Sequence, residues 1–148
     1  MPGIVKWLIL LHVLGATVWA GGHLILSIGF LPQALKHKDV SIILNFESHY
    51  ERIGIPALLI QVITGISMAL IYVPFSAWGS LATSHHVLLW IKLGLLAGTI
   101  ALGIHARFFI IPKLTPEKLS LLALHVILVT ILAVALIITG LSFRFPYF

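Results

Sequence analysis

A chain of 148 residues of which 60% are hydrophobic and 9% charged is too apolar for an ordinary water-soluble domain. Its net charge of +5 comes from nine Lys and Arg residues scattered near the ends of apolar segments, with no stripe or run of the kind that grips nucleic acid. There is no cysteine, which excludes disulfides, iron–sulfur clusters and thiolate chemistry.

A membrane span needs about 20 mostly apolar residues to cross roughly 30 Å of hydrocarbon. Four such segments use almost the whole chain, so the expected fold is all-α, a single four-helix transmembrane domain over residues 1–148. The first runs from about Ile4 to Phe30, where Pro32 and the polar Gln33–Asp39 stretch are expected to close it. Lys6 before an apolar run resembles a signal peptide, but no clear small-residue cleavage site follows, so the segment reads as a retained span. Upstream of the second core, about Ile53 to Val73, the residues Ile42, Phe46, His49 and Ile53 recur at helical spacing, which predicts that this helix extends beyond the hydrocarbon. Pro74, Ser76 and Gly79 form the following turn. The third span covers roughly Val87 to Ile111 and stops at Pro112; the fourth starts after Thr115, Pro116 and Glu117 and runs to about Ser142. Lys36, Lys38 and Arg52 flank the first loop, and Arg107, Lys113 and Lys118 flank the third. These two loops are therefore expected on the cytoplasmic side of the membrane, with Lys6, Arg144 and both termini outside. No internal repeat stands out.

Eight histidines in so apolar a chain require explanation, because polar side chains in hydrocarbon are costly unless they find partners. His12 and His23 are eleven residues apart, almost three turns and about 16 Å of rise, so they project from one face at two levels. Gly15, Ala16, Trp19 and Gly22 lie along much of that face, where small residues leave space for a flat macrocycle or a neighbouring backbone. Gly94 and Gly98 continue toward Ala101 and His105 as a second smooth stripe, one that would also suit a homodimer. With the topology above, His23, His49, His105 and His125 fall near the cytoplasmic side, one per helix, while His12 belongs to the outer half and His85 and His86 to the outer mouth.

Imidazole ligates haem iron, copper and zinc. The leading expectation is a b-type cytochrome, an oxidoreductase or electron carrier with one or two haems, two being favoured. In it His12 ligates the outer haem with His85 or His86, His23 joins His105 or His125 at the inner one, and His49 is in reserve. Lys92 either snorkels to the outer interface or meets a haem propionate; Arg107 anchors a lipid phosphate or a propionate. A quinone or another redox protein would be the partner. Covalent c-type attachment requires cysteine and is ruled out. Copper is the alternative occupant, since spacing alone does not choose haem over copper. Against both stands the commoner role of a lone membrane histidine, a hydrogen bond to the next helix; His37 reads as a solvated loop residue, and Gln61 and Thr64 as helix cross-links. No nucleophile motif, phosphate loop or carboxylate pair is visible, which argues against hydrolysis.

The stretches LHVLGATVWAGG at 11–22, FLPQALKH at 30–37, ERIGIPALLIQVITG at 51–65 and WIKLGLLAGTIALGIHARF at 90–108 resemble the bacterial four-helix protoporphyrinogen IX oxidase family. The ARFFIIPKL stretch also resembles the copper-resistance D membrane domain, whose corresponding helix ends in an arginine-containing stretch followed by proline. The oxidase resemblance implies a haem role for His12, a role in activity for Lys92 and, as an alternative function, haem-dependent oxidation of protoporphyrinogen IX; the copper-resistance D resemblance implies copper import, with histidines at two depths as successive metal stations. The spacing from Lys92 to His105 is two residues longer than the oxidase pattern, and the fourth span lacks that family's Asn-Glu-x-Pro-like start.

Overall fold

The computed structural model describes residues 2–143 and 145 and is helical from one end to the other; Arg144, counted above with the outer residues, lies outside the described residues. Four stretches are long and apolar enough to cross a membrane: Gly3–His37, Val40–Tyr72, Ser84–Lys113 and Pro116–Ser142. Five α-helices build them, α1 (Pro2–Ile25), α2 (Leu31–His37), α3 (Val40–Tyr72), α4 (Ser84–His105) and α5 (Leu119–Ser142). α1 lies along both α3 and α5, and α5 lies along α4. α5 is the most enclosed of the four spans, burying His125 and Thr130 together with Leu122, Val126 and Val129. The other spans expose most of their Ile, Leu and Val side chains, as lipid-facing helices must.

The first span does not end before Pro32. A π turn at Leu26–Phe30 carries the chain from α1 into α2, and Pro32 sits in the first turn of that helix, where its missing N–H costs nothing. The same device recurs at the end of α4: a π turn at Ala106–Ile110 precedes Ile111 and Pro112, which open a 3₁₀ turn, Ile111–Lys113. In each case the wider turn lies directly ahead of an apolar-residue–proline pair, where regular helix hydrogen bonding must break. Both turns pack onto the first half of α5. Leu26, Leu31, Ala34, Ile43, Ile110, Leu119, Leu122, Ala123 and Val126 form one buried cluster there.

α3 runs unbroken for 33 residues. At 1.5 Å per residue that is about 50 Å, well beyond the roughly 30 Å of hydrocarbon, so its early turns extend past the apolar core as the spacing of Ile42, Phe46, His49 and Ile53 predicts. Lys38 ends α2 in the left-handed conformation at φ 52°, and Asp39 caps α3 by accepting a 2.9 Å hydrogen bond from the Ser41 N–H. On the opposite side of the bundle Thr83 caps α4, its hydroxyl accepting from the His86 N–H at 3.4 Å.

Candidate functional site

Two polar levels lie inside the bundle. At the level nearer the termini, the His12 ring of α1 reaches α3, with Nδ1 3.0 Å from the Gln61 carbonyl and 3.0 Å from Thr64 Oγ1. Gly65 makes room for this ring, since a Cβ there would lie 3.0 Å from His12 Cε1. Gln61 and Thr64 thus do join helices, Gln61 through its backbone. Lys92 of α4 points toward the end of α5: its Nζ stands 5.8 Å from the centre of the Phe143 ring and beside Gly140.

At the other level, His23 shares its surroundings with Trp19 and Tyr50. Its ring lies 4.4 Å from Trp19 and 5.8 Å, edge-on, from Tyr50, and its Nδ1 donates to the Trp19 carbonyl at 2.9 Å. The Thr130 hydroxyl of α5 donates to the Val126 carbonyl at 2.7 Å and lies 3.3 Å from the His23 carbonyl, where α5 meets α1. One layer over, His105 of α4 and His125 of α5 stack at 4.9 Å with Nδ1 of the first 2.9 Å from Nε2 of the second. His105 and His125 therefore partner each other, and His23 partners aromatic rings. His49 bonds within its own helix, Nδ1 donating to the Asn45 carbonyl at 2.7 Å, and stays exposed. His85 is exposed beside Phe143; His86 is half-buried, with an Nδ1 that has no partner among the described residues. His37 is exposed in the last turn of α2.

These hydrogen bonds decide the tautomers. A backbone carbonyl only accepts, so the Nδ1 atoms of His12, His23, His49 and His125 each carry the proton, leaving Nε2 as the lone-pair nitrogen. His125 accepts at that nitrogen from His105, which passes the free lone pair on to His105 Nε2. His12, His23, His49 and His105 thus each present an Nε2 without a hydrogen-bond partner among the described residues. Imidazoles that bind metals are held in this way, with the other ring N–H anchored on a carbonyl or a basic neighbour.

The glycines on α1 do not leave room for a macrocycle. A Cβ on Gly22 would lie 2.1 Å from Tyr50 Cε2, and one on Gly15 would lie 2.8 Å from the Ala57 carbonyl oxygen, so α3 occupies that face. Two axial imidazoles on one haem iron need nitrogens roughly 4 Å apart, twice a usual metal–imidazole bond, with the ring between them; His105 and His125 at 2.9 Å close that gap. The described residues therefore leave no room for a haem on the glycine face of α1 or between His105 and His125. Arg107 has an acidic partner in this fold. Its guanidinium pairs with Glu51 of α3 at 2.9 Å.

The sequence reading missed that acidic partner. Glu47, Tyr50, Glu51 and Gly54 follow at intervals of three and four residues, one face of α3, and that periodicity was the available signal. Tyr50 was missed for the same reason: its hydroxyl donates to the Val18 carbonyl at 3.1 Å and the Trp19 carbonyl at 3.0 Å, and its ring fills the notch between Gly22 and Gly54. Among the described residues no three His, Asp or Glu side chains come close enough to form a closed metal centre.

The geometry is that of an integral membrane helical bundle that holds imidazole nitrogens with open lone pairs at two levels. Residues 45–143 match the family model for copper resistance protein D, and the chain belongs to that family. Of the two resemblances seen in the sequence, this is the one that the family comparison shows. Neither a curated protein nor a solved structure matches the chain.

Proposed function

We propose that this protein moves copper across the membrane, with the ion as cargo handed between imidazole stations at two depths. The observation that carries the reading is the fixed tautomer. His12 on one level, and His23 and His105 on the other, keep Nε2 as an open donor because Nδ1 is spent on a carbonyl or on His125. Imidazole and thioether are suitable copper ligands, and Met68 follows Thr64 by one turn, on the same side of α3 as the partner of His12. A conducting path needs sites strong enough to admit an ion and weak enough to release it. Stations of one or two histidines meet that need better than a closed tetrahedral centre would. His125 acts as a positioning residue, orienting His105 and raising the basicity of its free nitrogen.

The basic loops that join α2 to α3 and α4 to α5 support a topology with those ends in the cytoplasm and both termini outside, in a bacterial inner membrane. Purified protein in lipid vesicles should take up Cu(I), supplied with a weak chelator, faster than empty vesicles do. Alanine at His12, His23 or His105 should each cut the initial rate at least tenfold, with each variant still folded by circular dichroism. Wild-type rates equal to empty vesicles would overturn the reading, as would a purified protein with a Soret band that His12→Ala removes.

A further inference from the structure

We propose that the cleft between the first π turn with α2 and the early part of α3 binds a flat, hydroxyl-bearing ring of the quinol class, taken from the bilayer. The cleft is an open groove of about 610 Å³ at the surface of the bundle, and its lining combines aromatic walls with a few polar groups, as small-molecule sites do. Its wall is a run of rings. Phe30 lies 5.0 Å from Phe46, and Phe46 stacks on Tyr50 at 5.3 Å with only 25° between planes. The Tyr50 hydroxyl is committed to the Val18 and Trp19 carbonyls, so this residue lines the cleft with its ring and supplies no free polar group. Flat rings stack on such a wall in offset geometry.

The polar groups select the oxidation state. Gln33, Asn45 and His49 line the same cleft. His49 donates through Nδ1 to the Asn45 carbonyl, so its Nε2 accepts and its matching partner is an O–H. A quinol supplies that hydrogen; the oxidised quinone carries only acceptor oxygens and would meet this lone pair with another. The side-chain amides of Gln33 and Asn45 can both donate and accept, and so serve a second ring oxygen of either kind. A phospholipid acyl chain would leave all three groups unmatched. The cleft lies between the Lys36–Asp39 connection and the apolar run beginning near Ile53, the depth at which a lipid-soluble ring with polar substituents resides. The inference concerns binding alone and does not depend on the copper reading.

The test is anaerobic calorimetric titration of purified protein in detergent with decylubiquinol and, separately, decylubiquinone. One saturable site is expected for the quinol, with the quinone at least tenfold weaker. His49→Leu and Phe46→Ala should each weaken quinol binding at least tenfold, and His49→Leu should reduce the preference for quinol over quinone. His49 is exposed, so that variant should keep the wild-type unfolding temperature; Phe46→Ala is judged only if it does the same. Non-saturable uptake, equal affinity for the two oxidation states, wild-type affinity in His49→Leu, or displacement by phospholipid alone would each overturn the proposal.

Discussion

Tyr50 ties three parts of the interior together, and small residues allow it. Its ring fits between α1 and its own helix because Gly22 and Gly54 lack a Cβ; the added atom would lie 2.1 Å and 2.8 Å from ring carbons, respectively. An aromatic ring wedged between two backbones and held by its hydroxyl has little room to yield, so overpacking here should cost about 1–3 kcal/mol or more. Gly22→Ala is expected to destabilise the protein by that amount in denaturant titration, whereas Gly21→Ala, whose Cβ would meet nothing within 4 Å, should be nearly neutral. Trimming the ring with Tyr50→Ala in the Gly22→Ala background should make the Gly22 substitution much less costly than it is alone. Equal stability of the Gly22→Ala and Gly21→Ala proteins would contradict this packing. The sequence reading saw the smooth face of α1, and left open whether a macrocycle or a backbone would use it; α3 and Tyr50 do. Side-chain packing between helices distant in sequence decides such a question, and periodicity within one helix cannot.

Helices and their ends were legible where local chemistry governs them and obscure where a local exception does. The extension of α3 beyond the apolar core followed from unbroken helical spacing, while the continuation of the first span past Phe30 did not, because Pro32 normally marks a stop. A π turn absorbs the proline there and again before Pro112, and no residue pattern announces a π turn in advance. The start of α3 gives an element-scale prediction. Asp39 lies in the connection between spans, and the Ser41 side chain and N–H hold its carboxyl below the usual carboxylate range. A carboxyl with a lowered folded-state value stabilises the fold fully above its unfolded value and ceases to do so as pH falls through the folded one. Amide exchange in the first turn of α3, corrected for intrinsic rate, should therefore be slow near neutrality and speed up as pH drops through the acid range below the usual aspartate value. In Asp39→Ala it should be fast throughout; protection in the variant equal to wild type would remove the cap from the account.

At the scale of the whole molecule, four spans bring His12 to one level and His23, His105 and His125 to another. Their partners were not legible in the sequence. His105 and His125 were each expected to be available to His23, yet facing positions on α4 and α5 bring them to each other, and His23 is enclosed by Trp19 and Tyr50. Arg107 likewise took an acidic partner from α3 that only the assembled bundle places within reach. What unites the levels is a proton arrangement: Nδ1 spent, Nε2 open. Nitrogen-15 NMR of histidine-labelled protein in bilayers, before and after addition of diamagnetic Cu(I), reads that arrangement directly. The account predicts Nδ1–H tautomers for His12, His23 and His105 in the free protein, and Cu(I)-induced shifts confined to their Nε2 resonances. Protonated Nε2 atoms in the free protein, or imidazole spectra unchanged by Cu(I), would contradict it.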